Sequence, residues 1–223
     1  MKKKSIVFIV VALLLALALI IGGISAYFTD SAKATNTFTI GNVNITLTEP
    51  HWVTTDSNNN SVPDAAENLV PGDVVAKDPT VSVESTSNPA YIFAKVEIPN
   101  YLNGADTPVN TDVFSLWHDV SGTSTAGVNS GWVLVEDKGV SSNVHTYVYA
   151  YASGSAVSNL TAVNPGASTT TLFDTVKLTT DNTVAQNASG ATSLDVKVTA
   201  YGIQTDNITE TTQAAIYALF PQN

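Results

Sequence analysis

The stretch of this chain best suited to chemistry is Asp56-Ser-Asn-Asn-Asn-Ser-Val-Pro-Asp-Ala-Ala-Glu67. Oxygen-bearing side chains fall at its positions 1, 3, 5, 9 and 12, namely Asp56, Asn58, Asn60, Asp64 and Glu67. Calcium takes about six to eight hard oxygen ligands, and a short turn with oxygens at alternate positions supplies them. Two departures count against an ion: Ser61 stands where such loops carry glycine for the sharp turn, and two of the usual acids are asparagines. Asn- and Asp-rich turns also form with no ion, because their side chains hydrogen-bond the neighbouring backbone. Both readings fit the residues and the plain turn is favoured. Calcium is the only cofactor the pattern suggests, and none is required.

The remaining candidates for chemistry are sparse. The three histidines, His51, His118 and His145, lie far apart, and no H-E-x-x-H places two imidazoles on one helix face for zinc. No G-x-S-x-G elbow is present for a serine hydrolase. The chain has no cysteine, which removes thiol catalysis and Cys-ligated zinc. Trp52, Trp117 and Trp132 fit either a carbohydrate platform or core packing, of which the second is the expected role. No catalytic residue is expected. Sequons at Asn44, Asn59, Asn159, Asn187 and Asn207 matter only in a cell that glycosylates them.

Nine lysines, no arginine and 19 acids give the 223 residues a net charge of −10. Lys2, Lys3 and Lys4 precede an acid-free run, Ile6 to Ile21, that is wholly apolar. Gly22-Gly23 ends that run, and Ile24-Ser-Ala26 offers a cleavage point between Ala26 and Tyr27. These are the parts of a secretory signal over residues 1–26. An uncleaved membrane anchor is the alternative. Sixteen residues of helix span only ~24 Å against a ~30 Å hydrocarbon core, although counting on to Ala26 makes the length just sufficient. Without the three leader lysines the balance is 6 against 19, a net of −13. Such a chain repels nucleic acid and anionic lipid, so nucleic-acid binding is excluded and membrane contact is expected only through the uncleaved signal. A secreted chain of this size also has core enough to do without disulfides.

The elements that must carry these residues read as strands. Thr37–Leu47 alternates with a slip at Gly41-Asn42, as at a bulge. Val81 and Val83 alternate, and Tyr91–Ile98 places Ile92, Ala94, Val96 and Ile98 on one face. Phe114–Val120 fits a short helix or a strand. Trp132–Val135 and His145–Ala152 fit a hairpin, and Leu172–Thr179 and Leu194–Ile203 are further strands separated by a polar loop over Asp181–Thr192. At the end, Ile216, Leu219 and Phe220 take helical spacing, with Asn207 and Glu210 resembling a capping box. About eight short strands joined by polar turns predict an all-β fold with minor α: a two-sheet jelly-roll-like sandwich with a short C-terminal helix, occupying residues 37–223 behind a donor or linker segment over 27–36.

Several blocks carry a family resemblance. Ala26-Tyr-Phe-Thr-Asp30, Asn36-Thr-Phe38 and Gly41-Asn-Val-Asn-Ile45 form the first. Asn68-Leu-Val-Pro-Gly-Asp73 with Lys77-Asp-Pro-Thr-Val81, and Ala90-Tyr-Ile-Phe-Ala-Lys-Val-Glu97, follow. Val198-Thr-Ala-Tyr-Gly-Ile-Gln-Thr-Asp206 closes the series. In order and spacing they resemble the TasA/camelysin family of secreted proteins, whose leaders are cut by a SipW-type signal peptidase. The resemblance implies a jelly-roll-like sandwich in extracellular fibres of a biofilm matrix. It also implies that the segment freed by cleavage leaves its own domain and completes a sheet of the next subunit. Tyr27 and Phe28 would be the anchors of that donor strand. The partners expected are copies of the chain itself, the SipW-type peptidase, and an accessory protein that anchors or starts the fibre. The location expected is the extracellular matrix or cell surface.

Physical reasoning allows the same behaviour. A strand at the N-terminus on the connector Ser31-Ala-Lys-Ala-Thr35 can pair with an open sheet edge, and a head-to-tail contact propagates instead of closing. Camelysin relatives are described as metallo-endopeptidases, and the missing H-E-x-x-H speaks against carrying that activity over. A monomeric adhesin or binding module is the third reading. Ala218-Leu-Phe-Pro-Gln-Asn223 contains no L-P-x-T-G sorting signal and no apolar anchor, so the processed chain is expected to be free unless it assembles or docks.

Overall fold

The computed structural model describes residues 42–52, 54–59, 62–101, 112–119, 121–122, 125–188 and 194–221. Residues 41–223 form one compact unit. The expected signal peptide, the expected cleavage point and the expected donor segment with Tyr27 and Phe28 lie outside the described residues.

Ten strands are described: β1 (Ile45–Thr48), β2 (Val74–Ala76), β3 (Thr80–Val83), β4 (Ala90–Pro99), β5 (Phe114–Trp117), β6 (Trp132–Ser141), β7 (Val144–Tyr151), β8 (Ala162–Val163), β9 (Thr175–Leu178) and β10 (Lys197–Gln204). Two short helices, α1 (Asn182–Ala188) and α2 (Gln213–Tyr217), complete the unit. Among the described residues no helix is long and apolar enough to cross a membrane.

The strands make two layers. One is an antiparallel sheet in the order β10-β4-β7-β6, with β8 paired to the start of β4. In the other, β1 pairs β3, and β2-β9-β5 form a second group. Backbone bonds join the two groups through the run from Gly166 to Leu178. Gly166 N and Thr169 N donate to Val83 O and Val81 O at 2.8 Å, Leu172 N to Pro79 O at 2.8 Å, and Lys77 N to Asp174 O at 3.1 Å. The layer therefore runs β1, then β3 with β2, then Gly166–Leu178, then β5. The all-β sandwich with minor helix is what the alternation predicted.

Alternation also fixes the core. Ile92, Ala94, Val96 and Ile98 of β4 face Val81 and Val83 of β3 and Phe114, Leu116, Val176 and Leu178 of the opposite layer. Each side chain so buried stabilises the fold by roughly 1.5–3 kcal/mol before entropy is counted. The other face of β4 turns Phe93 outward, where α2 covers it. Ile216, Tyr217 and Phe220 pack on Phe93, Val148, Ala150 and Tyr201.

The structure revises several sequence readings. Of the helix and strand that Phe114–Val120 allowed, the strand is found, over Phe114–Trp117. The hairpin's first strand runs on to Ser141 and turns at Ser142 and Asn143, both at left-handed φ (52° and 62°), the geometry a two-residue hairpin turn needs. The loop expected over Asp181–Thr192 contains α1, whose Val184 and Ala188, four apart, are both buried. The C-terminal helix is capped by Thr212, whose side chain accepts from Ala215 N at 3.1 Å, and not by an Asn207–Glu210 box. Asn207 instead sits at φ 60° in a turn. Of the expected apolar stripe, Ile216 is buried while Leu219 is 53% exposed.

Candidate functional site

The sandwich has two lateral sides, and they are built differently. On one side β5 lies near β7 and β6, and a polar cluster ties them. His145 on β7 is 3% exposed. Its Nδ1 lies 2.8 Å from Asp112 Oδ1, and its Nε2 lies 2.8 Å from Asp137 Oδ1. Tyr147, two residues on and therefore on the same face, donates to Asp112 Oδ2 at 2.8 Å and contacts His145 Nδ1 at 2.9 Å. Asn100, at the end of β4, donates from Nδ2 to Asp112 Oδ1 at 3.0 Å. Gly139 N, in the second of two bulges on β6, donates to Asp137 Oδ1 at 2.8 Å.

A carboxylate only accepts, so an imidazole bonded to one through each nitrogen is an imidazolium. Burial disfavours that charge, but the hydrogen bonds of Asp137 and Asp112, with their charges, outweigh it and raise the His145 pKa. The His145 bond, with the Gly139 N–H, lowers that of Asp137. Burial and then the charges of Asp112 and Asp137 push Tyr149 up to about 12, and Tyr147 is raised too, first by burial and then by its bond to Asp112. Both ring nitrogens are occupied, so His145 has no lone pair for a metal or a proton. The cluster is a pin holding the run into β5 against the β6–β7 hairpin.

The other lateral side lies between β1 and β10. These are the edge strands of their layers, and each pairs on one side only among the described residues. They approach at Gly202, where an added Cβ would come within 2.9 Å of Val43 Cγ1 and 3.1 Å of Ile45 Cγ2. Val198 and Ala200, on the inner face of β10, are half-buried, whereas their partners on β4, Val96 and Ala94, are 0% and 1% exposed. Ile45 and Leu47 of β1 are likewise half-buried. Among the described residues the core on this side is shielded by these edge strands.

The Asn-rich loop is closed by its own side chains. Asp64 accepts from Ser57 N at 2.9 Å and Ser57 Oγ at 2.6 Å, which lowers its pKa, and Asn58 Nδ2 donates to both carboxylate oxygens of Glu67 at 2.9 and 3.1 Å. Asp56 is half-buried at the start of the loop, and Asn60 is outside the described residues. Among the described residues no group of three His, Asp or Glu side chains is placed to hold a metal.

The other singled-out residues are scattered. His51 is held by the buried Asp78, which accepts from its Nδ1 at 2.7 Å and its backbone N at 2.9 Å. Trp132 is buried and donates to Thr170 O at 3.1 Å. Trp52 and Trp117 are half-buried on other elements, with Lys77 and Lys177 over their rings at 5.3 and 4.9 Å.

Sequence reasoning missed both lateral features. The alternation His145-Thr-Tyr147 puts two polar rings on the face that buries Val96 and Ile98, and that was the signal available for the pin. Nothing in the sequence ties Asp112, 33 residues upstream, to it.

In comparison with known proteins, residues 1–99 match the family model described as camelysin metallo-endopeptidase. The matched part holds the apolar N-terminal run, the Asn-rich loop and the chain as far as the end of β4. The pin residues Asp112, Asp137 and His145, and the whole of β10, lie beyond it. No curated protein and no solved structure matches the chain significantly.

Proposed function

With residues 1–99 similar to the TasA/camelysin family, we propose that this chain is a secreted structural subunit of extracellular, biofilm-matrix fibres. It is exported through its leader, cut between Ala26 and Tyr27 by a SipW-type signal peptidase, and assembles head to tail by exchange of its N-terminal strand. It acts without catalysis, outside the cell, with copies of itself as principal partner and an accessory protein to anchor or start the fibre.

The observation that carries this reading is the side between β1 and β10. An eight-residue strand edge stands unpaired among the described residues, next to the strand into which the N-terminal segment leads. Unpaired backbone groups along such an edge are a template for another strand. The acidic exterior keeps the subunit soluble until that strand arrives.

The test is electron microscopy of two purified forms at equal concentration, one beginning at Tyr27 and the other at Asn36. Fibres from the first and monomers from the second are expected. Monomers from both would favour the binding module. Fibres from both would place the contact elsewhere on the domain.

A second reading, a secreted camelysin-like metallo-endopeptidase, is favoured by the description of the matched family. Peptide cleavage that is lost with a chelator and regained with zinc would establish it.

A further inference from the structure

We propose that the His145 pin has one permanent arm and one arm that only acid closes: on losing a proton the ring keeps Nδ1–H on Asp112, before β5, and lets go of Asp137 in the bulge of β6. The inference needs nothing from the N-terminal segment. It stands whether the chain builds fibres or cuts peptides.

The geometry forces a choice between the arms. The buried ring has a carboxylate oxygen 2.8 Å from each nitrogen. A neutral imidazole carries one N–H and one lone pair, so once the proton leaves, one of the two carboxylates faces a lone pair at hydrogen-bond distance. What else holds each carboxylate, and whether water reaches it, decides which one. Asp112 has 22% of its side chain exposed and accepts from Tyr147 Oη through Oδ2. If Nδ1 became the bare nitrogen, its available donor would be the Tyr147 hydroxyl, 2.9 Å away. Asp112 would then lose the ring and Tyr147 together, where little water can replace them. Asp137 has 49% of its side chain exposed and keeps the Gly139 N–H. It loses one donor, and water takes that place. An unmade bond costs less at an exposed group than at a shielded one, so Nε2 gives up the proton.

The other groups facing the ring do not reverse this order. From β7 come the Tyr147 and Tyr149 phenols, both raised and therefore neutral. From β4 come the apolar Val96 and Ile98, opposite Tyr147 and His145, and the Asn100 amide. Among the described residues the charges acting on the ring are those of Asp112 and Asp137. Burial works against the imidazolium, and the two carboxylates more than offset it, so the arm opens above the ordinary 6.5. Backbone pairing on either side of the bulge, Asp137 with Tyr147 and Val140 with His145, holds the hairpin together when the arm opens. What loosens is the bulge, on an edge strand. The approach to β5 stays pinned at every pH.

The chain has three histidines, so ring spectra are simple to assign. Long-range proton–nitrogen correlation spectra of the isotope-labelled chain beginning at Tyr27 would be followed through a pH titration, with the His145 signals identified by their loss in His145→Gln. Both ring nitrogens protonated below the midpoint, and a bare Nε2 with a protonated Nδ1 above it, is expected. A bare Nδ1 above the midpoint would overturn the inference, as would a ring that holds both protons up to the pH at which the fold is lost. Urea midpoints of two variants on either side of the His145 midpoint give a second reading. Asp112→Asn should lower the midpoint on both sides. Asp137→Asn should lower it on the acid side alone, because on the alkaline side the new amide can donate to the bare Nε2. An equal loss on both sides for Asp137→Asn, or an acid-only loss for Asp112→Asn, would overturn the assignment of the arms.

Discussion

Replacing His145 by glutamine keeps a hydrogen-bonding side chain between Asp112 and Asp137 but removes the positive charge. Asp112 is mostly shielded, with 22% of its side chain exposed, so its carboxylate would lose its cationic partner and be left with neutral donors, Asn100 and Tyr147 among them. Asp137, with 49% exposed, can rehydrate. Breaking a buried pair by removing one partner costs about 3–5 kcal/mol, and discounting the exposed half leaves about 2–3 kcal/mol for His145→Gln in mild acid. The pH dependence carries the sharper information. The folded pKa of His145 is raised above its ordinary 6.5. Its stabilisation is therefore fully present below that value and is lost as pH rises through the folded pKa. In between, unfolding releases a proton, so the stability difference between wild type and His145→Gln should shrink by up to about 1.4 kcal/mol per pH unit. Urea unfolding followed by tryptophan fluorescence, on both proteins from about pH 5.5 to about pH 8.5, measures it, given two-state behaviour. A difference that stays constant across that range would refute a charged His145 and the pin with it.

Other expectations follow from single contacts. Gly202→Val would press Cβ and its methyls on Val43 and Ile45 and should destabilise the domain by about 1–3 kcal/mol in the same unfolding assay. Thr212→Ala removes the bond to Ala215 N and should cost about 1 kcal/mol, with proteolysis after α2 as a second readout. Phe93→Ala opens a cavity beneath Tyr217 and Phe220 and should cost about 3–5 kcal/mol by chemical denaturation. Millimolar calcium should leave the thermal midpoint unchanged, because the Asp64 and Glu67 carboxylates already accept from Ser57 and Asn58; a rise that a chelator reverses would restore the ion-binding reading of the loop.

What could be read from the sequence was whatever a local period records. Tyr91–Ile98 alternates because one face meets the core, and the structure has that strand with one residue added at each end. β6 was read only as far as Val135, because beyond it the strand is an edge whose charged residues meet water and keep no period. α1 leaves little trace in the sequence, because Val184 and Ala188, the buried pair among its described side chains, are too few to set a helical period in Asn182-Thr-Val-Ala-Gln-Asn-Ala188. The Asn207–Glu210 pair matched a cap by spacing, yet Thr212 holds that place, since a cap depends on where the chain first turns helical and not on a motif alone. The pin joins Asn100, Asp112, Asp137 and His145 from four parts of the chain, and no period links residues brought together by a fold. The calcium spacing could be read, but spacing does not tell whether a carboxylate binds an ion or a neighbouring serine.

The helix and aromatic rings that cover the outer face of the β10-β4-β7-β6 sheet bear on X-ray fibre diffraction. Sheets that laminate into amyloid bring bare faces together about 10 Å apart and give the paired reflections of cross-β order. Here one outward face lies beneath Tyr217 and Phe220, and the other bears the side chains of Thr46, Thr80 and Ser82. Neither face is shaped for dry lamination. A polymer of intact domains should therefore give a meridional repeat set by the subunit, without the equatorial spacing of stacked sheets, and should leave amyloid-sensing dyes dark.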